Sequence, residues 1–336
     1  MGKPAAGFLA AIATFSMAAT AVEASPLPSG FLADAIADFN VITNGNFVQG
    51  NDDQGPILVG GNLVTDGHMI NDTAVVPLPQ PIAGLGEVNV FGNVTGTVNV
   101  AVGANSIVLV GGTTAPAVTF TGRNAAQSVL NHNPFPYSFS DIWGQVTGLS
   151  TSLSLLSPTY TVTSTTFSGV PNPQGVAVLT VSLSELNSLS GALNFTGCLS
   201  LANPTCDAVI DVTGAGAFDN PALSYGALTS AQTNLIWNFE SATEVDTDGQ
   251  TWFASILAPN ADVENSSAIN GDVIADTVDT MVPGGNGEFH FHPFDCSDNL
   301  CGSTAPPNVP EPGSLVTLGA AIASFAGLAV IRRRRT

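Results

Sequence analysis

The sequence predicts an all-β fold: a parallel β-solenoid (β-helix) with one helix packed against it around residues 141–157, or, as the alternative, a β-sandwich with glycine-rich turns. Three observations point there. Charged residues are only 10% of the 336, while Gly (35) and Pro (22) are plentiful. That is too apolar for a disordered chain and too poor in Lys, Glu and Arg for a helical bundle. A pattern of Gly, then Asn or Asp, then an apolar residue recurs at Gly45-Asn46-Phe47, Gly61-Asn62-Leu63, Gly92-Asn93-Val94 and Gly271-Asp272-Val273. The segments between are short, rich in Val, Ile and Leu, and lack helical periodicity.

Each element follows from local chemistry. Gly-Asn and Gly-Asp tolerate positive φ and suit sharp corners, and the apolar residue after each begins a strand. The first interval between the corners is 16 residues and the second 31, which reads as one coil and then two. Strands are expected within Pro56 to Val64, Glu87 to Val100 and Ser106 to Val110. Val88, Val90, Val94, Val98, Val100 and Val102 share one parity and so one face of an extended chain, as a solenoid interior requires. The predicted helix is capped by Ser140 or Asp141, carries Ile142, Val146, Leu149, Leu153 and Leu156 on one stripe, and stops at Pro158. Gly144 and Gly148 weaken it. Its place is against the solenoid, as a cover for the core.

Both ends read as addresses. Lys3, an uncharged stretch from Pro4 to Val22 and a small residue at Ala24 make residues 1–24 a signal peptide, with Pro26-Leu27-Pro28 breaking any helical continuation. The body is 25–302, and 303–336 is a linker plus tail. In the tail, Leu315 to Ile331 carries no charge over 17 residues and runs into Arg332, Arg333, Arg334 and Arg335. As a helix it would measure about 25 Å, just enough to cross a membrane, with the arginines on the cytoplasmic side. Pro310-Glu311-Pro312 stands just before it. This order of tripeptide, apolar span and basic cluster resembles the PEP-CTERM sorting signal. The resemblance implies an exosortase-type processing enzyme as partner, a transient inner-membrane anchor through 315–331, and release to the surface or matrix of a Gram-negative bacterium that makes exopolysaccharide.

The chain carries 26 acids against six bases, a formal charge of -20. Between Ser25 and Asn308 only Arg123 is basic, so the body has no footprint for a nucleic-acid backbone. Four cysteines in an exported chain favour disulfides, and sequence neighbours are the expected partners, Cys198 with Cys206 and Cys296 with Cys301.

The body resembles the choice-of-anchor A domain, an adhesive module found with alternative surface anchors. The likeness covers roughly Phe31 to Phe294. At its start, Asp38-Phe39-Asn40-Val41 is followed by Val59-Gly60-Gly61-Asn62-Leu63. At its end come Asn238-Phe239-Glu240-Ser241-Ala242, Ser255 to Ala261, Asn270-Gly271-Asp272-Val273-Ile274-Ala275, Gly287-Glu288-Phe289-His290 and Pro293-Phe294. Thr165 to Asn203 departs from the pattern. The resemblance implies adhesion or a matrix role and carries over no catalytic residue.

Two constellations are candidate metal ligands. Glu288, His290 and His292 alternate, so in a strand all three share a face. Glu244, Asp246 and Asp248 resemble a fragment of a calcium loop; the competing expectation is a type I′ turn at Asp248-Gly249 joining Ile236 to Phe239 with Trp252 to Leu257. The imidazole pair with Glu288 would suit a transition metal, and the acidic loop calcium. No G-x-S-x-G occurs, and Arg123 alone cannot serve a uronate lyase, so a non-enzymatic adhesive or structural protein is expected. A calcium-assisted glycan- or ice-binding module is the alternative, although Thr113-Thr114 and Thr163 to Thr166 are too local for a ladder of rows. A carboxylate-pair glycoside hydrolase is the second alternative.

Overall fold

Each Gly-Asn corner passes the chain from one strand to the next, and the strands stack in parallel rungs. The computed structural model describes residues 25–301 except 72–81, 102–106, 122–127, 133, 200–205, 220–221, 227–232, 248, 284–286 and 297–299. Most strands join one 20-stranded, mainly parallel sheet that wraps around a core, so the solenoid expectation holds. The expected signal peptide 1–24, the residues expected to form a sorting signal, Pro310, Glu311, Pro312 and Arg332 to Arg335, the expected span 315–331, Arg123 and Val102 lie outside the described residues. Among the described residues no helix is long and apolar enough to cross a membrane.

At the corners the Asn side chains form a ladder. Asn46 Oδ1 accepts the Asn62 N–H at 2.9 Å, Asn62 Oδ1 the Asn93 N–H at 2.8 Å, and Asn93 Oδ1 the Thr113 N–H at 3.0 Å. Gly112-Thr113 therefore takes the fourth rung, and Gly271-Asp272 belongs to a different corner. The corner glycines are needed for close stacking and not for positive φ. A Cβ on Gly61 would stand 2.5 Å from the Gly45 carbonyl carbon, and one on Gly92 2.5 Å from the Gly61 oxygen. The 31-residue interval is a single coil, because Leu63 pairs directly with Val94. Register is set by the corner, so an insertion elsewhere in the coil lengthens the interval without adding a rung.

One face of the solenoid is buried on both sides. In spatial order it runs Ser128–Asn131, Ile107–Val110, Val88–Val90, Ile57–Val59, Val41–Thr43, Val273–Asp279, Ser255–Glu264, Leu235–Asn238, Asp207–Thr213 and Val176–Ser182, all parallel. Val108, Val88, Ile57, Val41, Val273, Ile256, Trp237, Ile210 and Leu179 form one continuous inward row. The alternate residues Leu58, Ile42, Ile274 and Leu257 point outward, yet each is 0% exposed, because two helices lie over them. Hence these strands read as continuous apolar runs.

The stack does not follow chain order. The first coil, Val41–Thr43, lies between the second, Ile57–Val59, and one of the last, Val273–Asp279. The N-terminal coils climb away from this seam to Ser128–Asn131, and the C-terminal coils start at the far end and climb back to it. The chain must therefore return along the whole stack, nine steps of about 4.8 Å, or about 43 Å. Helix α2, Phe139–Ser154, makes most of that return, with a length of about 24 Å. It buries Ile142, Val146, Leu149 and Leu153, and Leu156 packs alongside. Gly144 and Gly148 face open space and cost only propensity. The helix starts and ends slightly earlier than predicted, after Ser138, whose side chain makes no cap bond. A polar pin fixes its register: the Ser150 hydroxyl donates to Asn238 Oδ1 at 2.6 Å, and Asn238 Nδ2 donates to Asp211 at 2.9 Å.

Helix α1, Phe31–Asp38, was not expected from sequence. It is only 8 residues long, and it exists by docking Phe31, Ala35 and Ile36 onto the same cluster. The expected hairpin at Asp248-Gly249 is also corrected. Ala242–Asp246 is a rung of its own, and Trp252–Phe253 pairs in parallel with Ala268–Asn270, so no two-residue turn joins the flanking strands. Asp248 lies outside the described residues. Among the described strands the antiparallel exception is Tyr160–Thr163 with Thr166–Gly169, at the far end of the stack. The cysteines pair as expected, Cys198 with Cys206 and Cys296 with Cys301.

Two outcomes follow. Ile142→Ala removes a side chain that is 0% exposed beneath α2 and should cost about 2–4 kcal/mol in a urea melt. Asp38, 4% exposed at the end of α1, has its carboxyl pushed up from 3.8 to about 6 by burial and then by Asp34. The folded state thus holds a proton between pH 4 and 6 that the unfolded state has lost, and stability should fall as pH rises through that window. Asp38→Asn should melt higher than the parent at pH 7 and no higher at pH 3.5, by calorimetry.

Candidate functional site

A second face of the solenoid carries carboxylates in register on successive rungs. Its inward row is Phe218, Val245, Val263, Val278, Phe47, Leu63 and Val94, in register over successive rungs. The residue after each points outward: Asp219, Asp246, Glu264 and Asp279 on the C-terminal coils, then Val48, Val64 and Thr95 on the N-terminal coils. The residue before each inward position gives a parallel column of Glu244, Asp262 and Thr277, which continues into the Asn46, Asn62, Asn93 ladder. Six carboxylates thus occupy two adjacent columns, one rung of about 4.8 Å apart along each.

Among the described residues no Lys or Arg offsets them. Burial, and then Asp246, Glu244, Asp279 and Asp262 in turn, raise the Glu264 carboxyl above its ordinary 4.5. Some oxygens are tied down: Thr277 Oγ1 donates to Asp262, and the Met281 N–H donates to Asp279 Oδ1 at 2.7 Å. Asn44 Nδ2 donates to Asp276 at 2.8 Å beside the columns. A carboxylate oxygen can accept from a hydroxyl group or bind a cation.

The structure brings Glu244 and Asp246 into this face as two members of a larger array, not as a loop. Asp219, Asp262, Glu264 and Asp279 were missed. A signal for them exists in the sequence, a buried apolar residue followed at once by an acid: Phe218-Asp219, Val245-Asp246, Val263-Glu264, Val278-Asp279.

Glu288 and His290 lie on the third face, in Glu288–His290. The His290 ring is held between two acceptors, with Nδ1 2.9 Å from Asn270 Oδ1 and Nε2 3.3 Å from Glu288 Oε1. Asn270 Nδ2 donates to the Trp252 carbonyl at 3.3 Å, which turns the amide oxygen toward the ring. His292 follows the strand, and burial, then His290, lowers its pKa. Both nitrogens of His290 are thus engaged within the protein. Among the described residues no three His, Cys, Asp or Glu side chains are grouped to hold a metal ion.

No column of threonines runs over successive rungs of the acidic face. Thr113 ends the Asn ladder, and Thr163 to Thr166 form the terminal hairpin.

The parallel rungs, the covering helix and the flat second face accord with a comparison against known families. The model described as "Putative Ice-binding-like adhesive domain" matches residues 32–291, well over half of the chain. The chain belongs to this family. No curated protein and no solved structure matches it. As an ice-binding-like adhesive domain it is a surface-binding module, and its matched region runs from α1 to the third face, leaving both chain ends outside.

Electrostatics of the acidic face give a measurable outcome. A carboxyl raised in the folded state binds protons that the unfolded state has released, so Glu264 lowers stability as pH rises above about 4.5. Glu264→Gln should raise Tm at pH 7. Raising NaCl from about 10 mM to about 1 M, which cuts the screening length from about 30 Å to about 3 Å, should raise the parent Tm more than that of the variant.

Proposed function

We propose that this ice-binding-like adhesive domain is an exported, non-enzymatic adhesin of the choice-of-anchor A type that binds extracellular polysaccharide in a biofilm matrix. The observation that carries this is the pair of stacked carboxylate columns continuing into an asparagine ladder on one exposed face. Acceptor oxygens repeating at rung spacing suit a polymer of repeating hydroxyl groups. Calcium added between face and polymer would join carboxylates to sugar oxygens while relieving repulsion along the columns. The sorting signal supports the rest: export by residues 1–24, a transient inner-membrane anchor at 315–331, cleavage by an exosortase-type enzyme near Pro310-Glu311-Pro312, and release to the surface of a Gram-negative cell. Ice is not the ligand we assign, because the face lacks the regular threonine rows that would order water.

Retention on immobilised exopolysaccharide from the producing strain tests the binding role. The parent chain should be retained saturably and more strongly in about 1 mM calcium, a concentration in the range of extracellular calcium modules. Asp246→Asn combined with Glu264→Gln should weaken retention about tenfold, with no change in fold by circular dichroism, each lost charge-assisted contact being worth roughly 0.7 kcal/mol. Equal retention of parent and variant would assign binding to another face, and no retention of either would leave an architectural role. Tags at both ends should reveal a mature form lacking Arg332 to Arg335, and a persistent full-length C-terminus would refute processing.

A further inference from the structure

The seam between the first and last coils holds a polar cluster separate from the acidic face. Asp272 stands at the corner before Val273–Asp279. Its Oδ2 accepts the Phe294 N–H at 2.8 Å and the Ser255 hydroxyl at 3.4 Å, while its Oδ1 is buried without a partner. Asp53, in the first coil, accepts the Gly55 N–H through Oδ1 at 3.0 Å and leaves Oδ2 buried without a partner. Asn40 lies between the turns that carry them. Its Nδ2 donates to the Gly271 carbonyl at 2.9 Å, its backbone oxygen accepts the Val273 N–H at 2.8 Å, and its Oδ1 is a third buried atom with no partner. All three residues are 0% exposed.

The Asp53 turn packs directly against Asn40. A Cβ on Gly55 would stand 2.6 Å from Asn40 Cβ and 3.1 Å from Asn40 Oδ1, so only glycine lets the Asp53 turn approach Asn40 this closely. Asp53 and Asp272 are near enough for the charge of one to act on the other.

Ionised carboxylates and an amide oxygen only accept hydrogen bonds, and the Asn40 nitrogen is already committed to Gly271. Buried charges persist when paired or bound to a metal, and the described residues contain no Lys or Arg to pair with these. The complement of two buried carboxylates and an amide oxygen is a hard cation of charge two. Magnesium gives up its water reluctantly and demands an octahedron, whereas calcium accepts protein oxygens in irregular geometry.

We propose that Asp53, Asp272 and Asn40 bind a calcium ion that staples the first coil of the solenoid to the last. The ligands come from both sides of the seam, Asn40 and Asp53 from the first coil and Asp272 from the last. Binding therefore stabilises the one junction that the chain must close between residues about 230 apart in sequence. The site lies inside the fold, does not depend on the adhesive role, and needs no polysaccharide.

The test is calorimetry of the full chain, stripped with chelator and titrated with calcium or magnesium, with bound metal counted by plasma emission. At calcium about a hundredfold above Kd the parent Tm should rise by about 5–10 °C, with magnesium doing less. Asp53→Asn with Asp272→Asn should abolish the shift and, in chelator, melt above the parent, because two buried carboxyls, each with an oxygen that has no partner, are gone. Asp246→Asn with Glu264→Gln should keep the shift. Asn40→Asp, which adds a ligand charge, should tighten calcium binding about tenfold by terbium-displacement luminescence and lower the calcium-free Tm; it provides the answer should the double variant fail to fold. A parent with no calcium shift, a shift that survives the double substitution or vanishes with the acidic-face variant, or unchanged affinity in Asn40→Asp would overturn the proposal. A chain that keeps the calcium shift yet ignores polysaccharide would refute only the adhesive reading.

Discussion

The pairing of Val41–Thr43 with Val273–Asp279 is the constraint on which the molecule depends. Once the first coil is taken into the stack beside one of the last, the other coils divide into two runs that meet there, and the chain must cross the full stack to connect them. A strand cannot make that crossing, because its own hydrogen bonds would have nowhere to go on the outside of a closed coil. A helix satisfies its backbone internally and offers one apolar stripe. That is the physical reason a single long helix interrupts an otherwise β chain, and the reason it lies along the stack and not across it.

Covering one face with helices has a consequence for the others. Leu58, Ile42, Ile274 and Leu257 turn outward yet meet α1 and α2, so this face is spent on stability. The second face has no such cover: its inward residues hold the core and its outward ones are free to carry charge. Acids gather on the C-terminal rungs of that face, whereas Val48, Val64 and Thr95 occupy the same column on the N-terminal rungs. The boundary between the two falls at the seam. One parallel register therefore produces an acidic half and a neutral half on a continuous surface, and it places buried Asp272 and Asp53 on either side of the junction.

Much of this was legible beforehand. The parity of Val88, Val90, Val94, Val98 and Val100 identified an inward row, and all five are buried in one core. The stripe Ile142, Val146, Leu149, Leu153 identified α2, and cysteine spacing gave both disulfides. The Gly-Asn pattern marked true corners at Gly45, Gly61 and Gly92, but for a different reason than expected: the glycines permit stacked backbones to touch. Pattern alone could not separate Gly271-Asp272 from them, because the same dipeptide serves any corner. Nor could it find α1, whose helicity comes from docking. The acidic columns escaped because their members are 15 to 27 residues apart, from Glu264 to Asp279 and from Asp219 to Asp246, and become neighbours only through register.

Local chemistry thus determined that the chain is β-rich, coiled, acidic and equipped with one amphipathic helix, since turn residues, alternation and charge each act over a few residues. The order of the rungs, the seam, the meeting of acids on one face and the burial of Asn40, Asp53 and Asp272 at the seam were decided by tertiary structure. Those depend on which strand edges meet, and neighbouring edges in this stack can belong to residues more than two hundred positions apart. No short-range preference encodes that choice; the packing of the whole stack selects it.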